Sequence, residues 1–343
     1  MSEIRAPGSI LLLGEYAITT PGGLGLAVAV EPYAHATYTA DDEFSVTGLW
    51  PEGATDRSRT WRDDHRADGY AEGGPTIVDT VIELCRAFLA PVPLPRFNFR
   101  LDTRSFRGRA GKAGLGSSAS GTVALAAAIL AAAEVPRTRV RAAMPRLAVD
   151  AHRRAQRGKG SGYDVLTAWH GGSGVFRGGA IPGWTPVSLP WISHAHLVYG
   201  DGSVSTPGAI DAYTAWATRH PSDASAFRDR SNSIVLRVAK CSRELEPTRE
   251  LLELFREAAI HGAKLGTAIG RPTSVSPERA VAACIEQARP SVLKALGAGG
   301  ELGIVIPEDA ERSRRLAECG VERVSCADTG AVSFFHESYD RQL

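Results

Sequence analysis

Residues 112–121 read Lys112-Ala-Gly114-Leu115-Gly116-Ser117-Ser118-Ala119-Ser120-Gly121 and run into an alanine-rich apolar stretch that ends near Ala133. A glycine-rich turn that opens onto a helix leaves its signature in such a run. The first four N–H groups of a helix have no partner inside it, and they lie at the positive end of the macrodipole, so an anion can settle there. Gly114 and Gly116 allow close backbone approach and positive φ. Ser117 and Ser118 can cap the helix, bind phosphate or offer an oxygen to magnesium. The segment reads as a phosphate cradle, yet it matches neither GxxxxGK[ST] nor a GxGxxG after a strand, which disfavours a P-loop or a dinucleotide-binding turn. A helix that merely begins with Gly and Ser is the alternative.

At 343 residues the chain exceeds the size at which one core usually keeps growing, so two domains are expected. Their predicted limits are 1–185 and 186–343. A net charge of +1 gives no reason to expect nucleic acid or an anionic membrane as a partner. Five scattered cysteines with no CxxC pair argue against a disulfide framework or a zinc site and fit a reducing compartment. The first residues lack a basic run followed by an apolar core and a cleavage site, and Val123 to Ala133 is too short to span a bilayer. A cytoplasmic soluble enzyme is the resulting expectation.

Patterning predicts strands at Ile10–Leu13, Leu24–Val30 (ended by Pro32), around Ala34–Tyr38 and Phe44–Val46, and at Arg96–Leu101. Residues 51–74, rich in Asp, Arg and Gly, read as an exposed excursion. Helical spacing covers Thr76 to Leu89, the stretch after Ser118, and Val140 to Arg154, where Pro145 should kink the helix or shift its start. Gly171–Phe176 and His196–Tyr199 read as strands. A mostly helical region follows from Gly208 to about Gly270, then a helix at Pro277–Ala288, a strand at Gly303–Ile306, a helix at Glu308–Glu318 and a closing strand at Ala331–Phe335. Strands in both halves without strict βα alternation predict an α+β, two-domain architecture.

Three further segments carry chemistry. Ala6-Pro-Gly-Ser-Ile-Leu-Leu-Leu-Gly14-Glu15-Tyr16 is a strand that ends in a carboxylate and a phenol, although Glu15 also suits a solvated turn. Gly158-Lys159-Gly160-Ser161-Gly162-Tyr163-Asp164 places one carboxylate after a flexible loop. There Asp164 can orient or deprotonate an acceptor while Lys159 faces phosphate charge, or Asp164 can simply cap the next helix. Leu296-Gly297-Ala298-Gly299-Gly300 can set backbone N–H groups against a phosphate, or serve loop geometry alone.

In order and content these segments resemble the GHMP kinase superfamily. Its APGKxxLxGEH/Y motif is matched by Ala6 to Tyr16, its GLGSSA motif by Gly114 to Ala119, and its GAGGG motif by Gly297 to Gly300 with Glu301 in the last place. Within the superfamily the phosphomevalonate kinase branch is the most similar. Its KTGLGSSA is found as Lys112 to Ala119 with Ala113 for Thr, its AHxxAQGKxGSGxDV as Ala151 to Val165, and its GxSxST segment is echoed by Gly202 to Thr206.

The resemblance implies an N-terminal domain like domain 2 of ribosomal protein S5, a ferredoxin-like C-terminal domain, and transfer of the ATP γ-phosphoryl group to phosphomevalonate. An alcohol such as mevalonate, homoserine or threonine is the alternative acceptor, and a catalytically weak ligand-binding protein the third reading. ATP would lie on Lys112, Gly114, Leu115, Gly116, Ser117, Ser118 and Ala119, with Gly297, Ala298 and Gly299. Ser118 would ligate Mg²⁺, and Asp164 and Lys159 would be catalytic. Glu15, Tyr16, Ser161, Gly162, Ser203, Ser205 and Thr206 would face the acceptor, a small molecule. A homodimer is compatible with this reading.

Two positions depart from the pattern. Ser9 stands where the superfamily usually has a lysine, and Lys112 or Lys159 is expected to supply that charge from another direction. His152 stands roughly where mevalonate kinases carry a metal-binding carboxylate, and reads as a helix-face histidine with a structural hydrogen bond. A phosphate acceptor is already mostly dianionic at neutral pH, so it needs cationic clamps more than a base. Arg104, Arg107, Arg109 and Lys112 are the candidates for that clamp, or else solvated loop charges.

Overall fold

The computed structural model describes residues 1–52, 55–62, 75–108, 111–112, 114–200, 206–241, 244–271, 273–289 and 291–335. Their contacts gather into two compact units. One holds Met1–Ser9, Ala29–Gly172 and the described residues from Ala327 on, and the other holds Ile10–Val28 and Ser173–Cys326. The contact boundary is discontinuous along the chain. Strands β1 (Ser2–Leu13) and β2 (Leu24–Ala40), which pair with each other, contribute residues to both units.

In the first unit, β2 pairs antiparallel with β5 (Phe97–Asp102), from His35 opposite Asp102 to Ala40 opposite Phe97. Strand β3 (Ser45–Glu52) lies parallel to β5 and forms an antiparallel hairpin with β4 (Thr55–Arg62). Part of the stretch expected to be an exposed excursion is thus a strand, with Trp61 buried. Strand β2 also runs on through Pro32 instead of ending there. Helix α1 (Ile77–Leu89) starts at a capping box of Thr76 and Asp79. The short ribbon β6 (Arg107–Gly108) and β7 (Gly111–Lys112) precedes α2 (Ser117–Ala132).

Helix α2 is buried on all sides from Ala119 to Leu130, because its alanines let α1, α3 (Arg137–Ala155), α4 (Tyr163–His170) and β5 approach closely. Helix α3 (Arg137–Ala155) passes through Pro145 without stopping. The carbonyl that Pro145 leaves unpaired belongs to the exposed Arg141, where water reaches it, and the buried stripe of Val140, Met144, Leu147 and Ala148 holds both halves of the helix.

Helix α4 (Tyr163–His170) ends against a 3₁₀ turn at Ala331–Phe335, where a closing strand was expected. Only Ala331 and Phe335 of that turn are buried, a one-sided i, i+4 spacing that suits a helical turn, and the Phe335 ring lies 5.7 Å from that of Trp169. Burial pushes the pKa of His170 down to about 4. A histidine that is harder to protonate when folded stabilises the fold above its unfolded pKa of about 6.5 and loses that contribution as pH falls towards 4. We expect His170→Gln to flatten the fall in stability between these pH values, as read by denaturant titration at each pH.

In the second unit, Leu24–Val28 of β2 pairs antiparallel with β8 (Ser173–Arg177), which pairs with β9 (Gly183–Val187). A separate antiparallel sheet has the order β10 (His196–Tyr199), β12 (Leu302–Pro307), β11 (Ser291–Ala295). All six residues of its central strand, β12, are buried. Helices α5 (Thr206–Arg219), α6 (Pro221–Cys241) and α7 (Arg249–Ala268) supply the long helical stretch, and α7 packs on β11. Helices α8 (Arg279–Gln287) and α9 (Ala310–Glu318) complete the unit. The α+β expectation holds. Among the described residues no helix is long and apolar enough to cross a membrane.

Candidate active site

The start of α2 is built as the glycine pattern requires. Gly116 is its N-cap with φ +77°, so no side chain caps the helix and its first N–H groups stay available. Space as well as φ demands glycine there. A Cβ on Gly116 would meet Ser9 Oγ at 2.7 Å and Asp164 Cβ at 3.8 Å. The middle of β1 is tied to this turn, since the Ser9 N–H donates to the Leu115 carbonyl (2.9 Å) and the Ser120 hydroxyl to that of Pro7 (2.6 Å). Ser9 itself is buried and its hydroxyl has no partner. Leu115 and Ala119 are buried, while Gly116, Ser117 and Ser118 are half-buried.

Behind the cradle stands His152, whose side chain is only 2% exposed. Its Nε2 lies 2.7 Å from Ser118 Oγ, 3.1 Å from Gln156 Nε2 and 3.9 Å from Asp164 Oδ2. Its Nδ1 is buried without a partner. Whichever ring nitrogen carries the proton, the imidazole fixes the Ser118 hydroxyl, in keeping with the structural role expected of it. Asp164 sits in the first turn of α4 after Gly162, with Oδ1 accepting the Val165 N–H (2.9 Å). Its side chain keeps 20% of its exposure, so a carboxylate faces outward beside the cradle. The loop before it is pinned by Arg153, which donates to the carbonyls of Gly160 (3.1 Å) and Ser161 (2.7 Å). Lys159 lies half-buried in that loop, its N–H on the Gln156 carbonyl.

The other singled-out residues fall in the second unit. Gly14, with φ +96°, turns the chain after β1 to present Glu15 and Tyr16. Tyr16 is itself left-handed at φ 63°, and its ring packs 5.5 Å from that of Tyr213. Both phenol oxygens are buried without partners. The Glu15 carboxylate bonds Lys294. Burial pushes the Glu15 pKa up, and the Lys294 ammonium partly offsets that shift. Gly297 to Gly300 form the turn of the β11–β12 hairpin, a strand–strand connection. Ala298 packs against the cluster around Tyr16.

Sequence reasoning missed Lys294. Its signal was a lysine sharing the inward face of a five-residue strand with Val292, just before the glycine run. Arg104, a candidate clamp for acceptor phosphate, has its guanidinium engaged with Asp102 instead, at 2.6–3.1 Å. Arg107 is exposed. Arg109, Ser203 and Ser205 lie outside the described residues, and of Lys112 and Thr206 only the backbone is described.

The cradle makes one strong demand. Gly116→Ala is expected to weaken binding of a non-hydrolysable ATP analogue at least ~10-fold by calorimetry, because left-handed strain of ~1–2 kcal/mol adds to the contact with Ser9. Unchanged affinity would remove the cradle from the site.

Residues 80–172, which contain the cradle, His152 and Asp164, match the family model of the GHMP kinases N terminal domain. No curated protein matches the chain by sequence. Among solved structures, the Lin0012 protein from Listeria innocua is 20% identical, with a TM-score of 0.77 over 92% of this chain and 93% of that one. The Streptococcus pneumoniae phosphomevalonate kinase in complex with phosphomevalonate and AMPPNP is 18% identical, with a TM-score of 0.70 over 94% and 98%. Galactokinase from Lactococcus lactis, complexed with galactose, is 13% identical, with a TM-score of 0.65 over 96% and 94%. Residues 80–172 thus match the GHMP kinase N-terminal domain, and the chain shares its fold with GHMP kinases of known structure.

Proposed function

We propose that this chain is an ATP-dependent kinase that phosphorylates phosphomevalonate to diphosphomevalonate. The observation that carries a kinase reading is the arrangement in the first unit: an uncapped helix N-terminus, a serine hydroxyl fixed by His152, and a partly exposed carboxylate 3.9 Å from the same imidazole nitrogen. Members of the GHMP kinase family are phosphotransferases, and one structural neighbour holds an ATP analogue. The finer choice of acceptor rests on the Lys112–Ala119 and Ala151–Val165 segments and on that neighbour's ligands.

In this reading the ATP phosphates lie on residues 114–119, where N–H groups offset charge as it shifts towards the leaving ADP. An acceptor oxygen forms a bond to the γ-phosphorus while the bond from that phosphorus to the β,γ-bridging oxygen breaks, and ADP leaves. Asp164 orients the attacking group and takes a proton when the acceptor brings one. Lys112, Lys159, Gly297, Ala298 and Gly299 face phosphate charge, and Glu15, Tyr16, Ser161, Gly162, Ser203, Ser205 and Thr206 serve the acceptor.

Magnesium would reach the site bound to ATP, and few protein oxygens would be needed to complete its shell. Among the described residues no group of three or more His, Cys, Asp or Glu forms a cage for it. Ser118 Oγ and Asp164 Oδ2, both beside His152, are the oxygens suited to complete that shell.

One observation favours an alcohol acceptor as a second reading. Arg104 is neutralised by Asp102, which removes a clamp for a phosphate acceptor, and Ser9 brings no charge. A coupled ADP-release assay with phosphomevalonate, mevalonate, homoserine and threonine separates the two. The proposal expects kcat/KM to be highest for phosphomevalonate, and a preference for an unphosphorylated alcohol overturns that choice. ATP binding without turnover on any acceptor supports a ligand-binding protein instead.

A further inference from the structure

Lys294 is buried, with 4% of its side chain exposed, and its ammonium bonds both the Glu15 carboxylate and the Ala295 carbonyl (2.9 Å). A buried ion pair is weak support for stability, because apolar side chains of similar volume often do as well or better in its place. The position of this pair suggests another use. Glu15 lies between two left-handed residues, Gly14 and Tyr16, in a turn whose backbone conformation is costly for a tyrosine. Lys294 lies three residues before Gly297, and Ala298 of that glycine turn packs on the Tyr16 cluster. One ammonium thus joins the Glu15–Tyr16 turn to the glycine hairpin, and every one of these residues belongs to the second unit.

We propose that Lys294 is a positioning residue for phosphoryl transfer: it holds the Glu15 carboxylate in one direction and so sets the turn that offers Glu15 and Tyr16 to the acceptor. The assignment rests on the kinase reading above. With its ammonium on the Glu15 carboxylate and the Ala295 carbonyl, Lys294 acts through Glu15. The glycine hairpin is held by its own β11–β12 ladder, in which Ala295 pairs with Gly303, so the loss of Lys294 falls on Glu15 and the acceptor side with little change in the use of ATP.

The test is a kinetic double-mutant cycle of Lys294→Met, Glu15→Gln and the double variant, with thermal melts of each. Lys294→Gln is added because it keeps a donor for Glu15 and remains usable if Lys294→Met does not fold. Lys294→Met leaves a buried carboxylate unpaired and should melt lower, whereas the double variant should recover most of that loss. In kcat/KM for the acceptor, Lys294→Met and Glu15→Gln should each fall at least ~10-fold, Lys294→Gln, which keeps a donor but neither the charge nor the length, by more than ~3-fold, and the double variant no further than the worse of its two singles, since the two residues act as a unit. KM for ATP should stay within ~3-fold throughout. The proposal is overturned if a folded Lys294 variant keeps acceptor kcat/KM within ~3-fold of wild type, or if the double variant loses the product of the two single losses. Absence of turnover by the wild-type chain on every acceptor overturns the kinase reading and this assignment with it. Turnover by wild type with unaffected Lys294 variants overturns this assignment alone.

Discussion

Asp164→Asn is expected to lower kcat by ~10²–10⁴-fold while KM for ATP stays within ~3-fold. Asparagine keeps the shape, and its side-chain oxygen can still accept the Val165 N–H that Asp164 Oδ1 accepts at 2.9 Å. Helix α4 and the loop before it, held by Arg153 on the Gly160 and Ser161 carbonyls, should therefore remain in place. What disappears is a negative charge and a proton acceptor beside the cradle. For an alcohol acceptor both losses matter, so the larger end of the range applies. For a phosphate monoester, which brings little proton to remove, the smaller end applies. The size of the effect thus carries information on the acceptor. Steady-state kinetics of the variant checks it, and a kcat within ~3-fold of wild type would exclude Asp164 from the chemistry.

Gly14→Ala is expected to destabilise the chain by more than ~4 kcal/mol, enough to prevent folding in many domains. A Cβ there would lie 2.2 Å from the Leu24 carbonyl oxygen and 2.6 Å from Gly25 Cα. Both are backbone atoms of a paired strand, so no side-chain rotation relieves the overlap. Gly22 is the matching control. Its φ is +79°, but a Cβ there meets nothing within 4 Å, so Gly22→Ala should cost only the ~1–2 kcal/mol of left-handed strain. Denaturant unfolding of the two variants separates crowding from strain. Equal losses would mean that the close approach at Gly14 is not what requires glycine there.

The cradle was legible because its constraints are local. Two glycines, two serines and an alanine run state a left-handed N-cap, an open helix start and a helix buried on all sides. Strands and helices with clean periodicity, such as α1 and β5, were legible for the same reason. Where tertiary packing outweighs local preference, the pattern misled. Pro145 lies inside α3 because a buried stripe on both sides outweighs one lost hydrogen bond. Pro32 lies inside β2, and Ala331–Phe335 turns so that Phe335 reaches Trp169.

The partners of site residues were the least visible. Nothing in the sequence joins Lys294 to Glu15 across 279 positions, and nothing ties Ser118 to His152 except a fold that lays α3 beside α2. The pairing of Arg104 with Asp102, two residues away, was closer to view, yet only the placement of Asp102 at the end of β5 shows that the guanidinium, a candidate clamp in the sequence, is already engaged.

The proposed reaction moves the γ-phosphoryl group of ATP onto an acceptor phosphate. Phosphorus NMR of the chain with MgATP and phosphomevalonate tests it most directly. The account predicts that the monoester resonance is replaced by the coupled pair of a diphosphate monoester, one product formed per ADP released, and that Asp164→Asn slows this conversion by the factor given above. A spectrum in which ATP decays only to ADP and inorganic phosphate, or in which the phosphomevalonate resonance never changes, would contradict it.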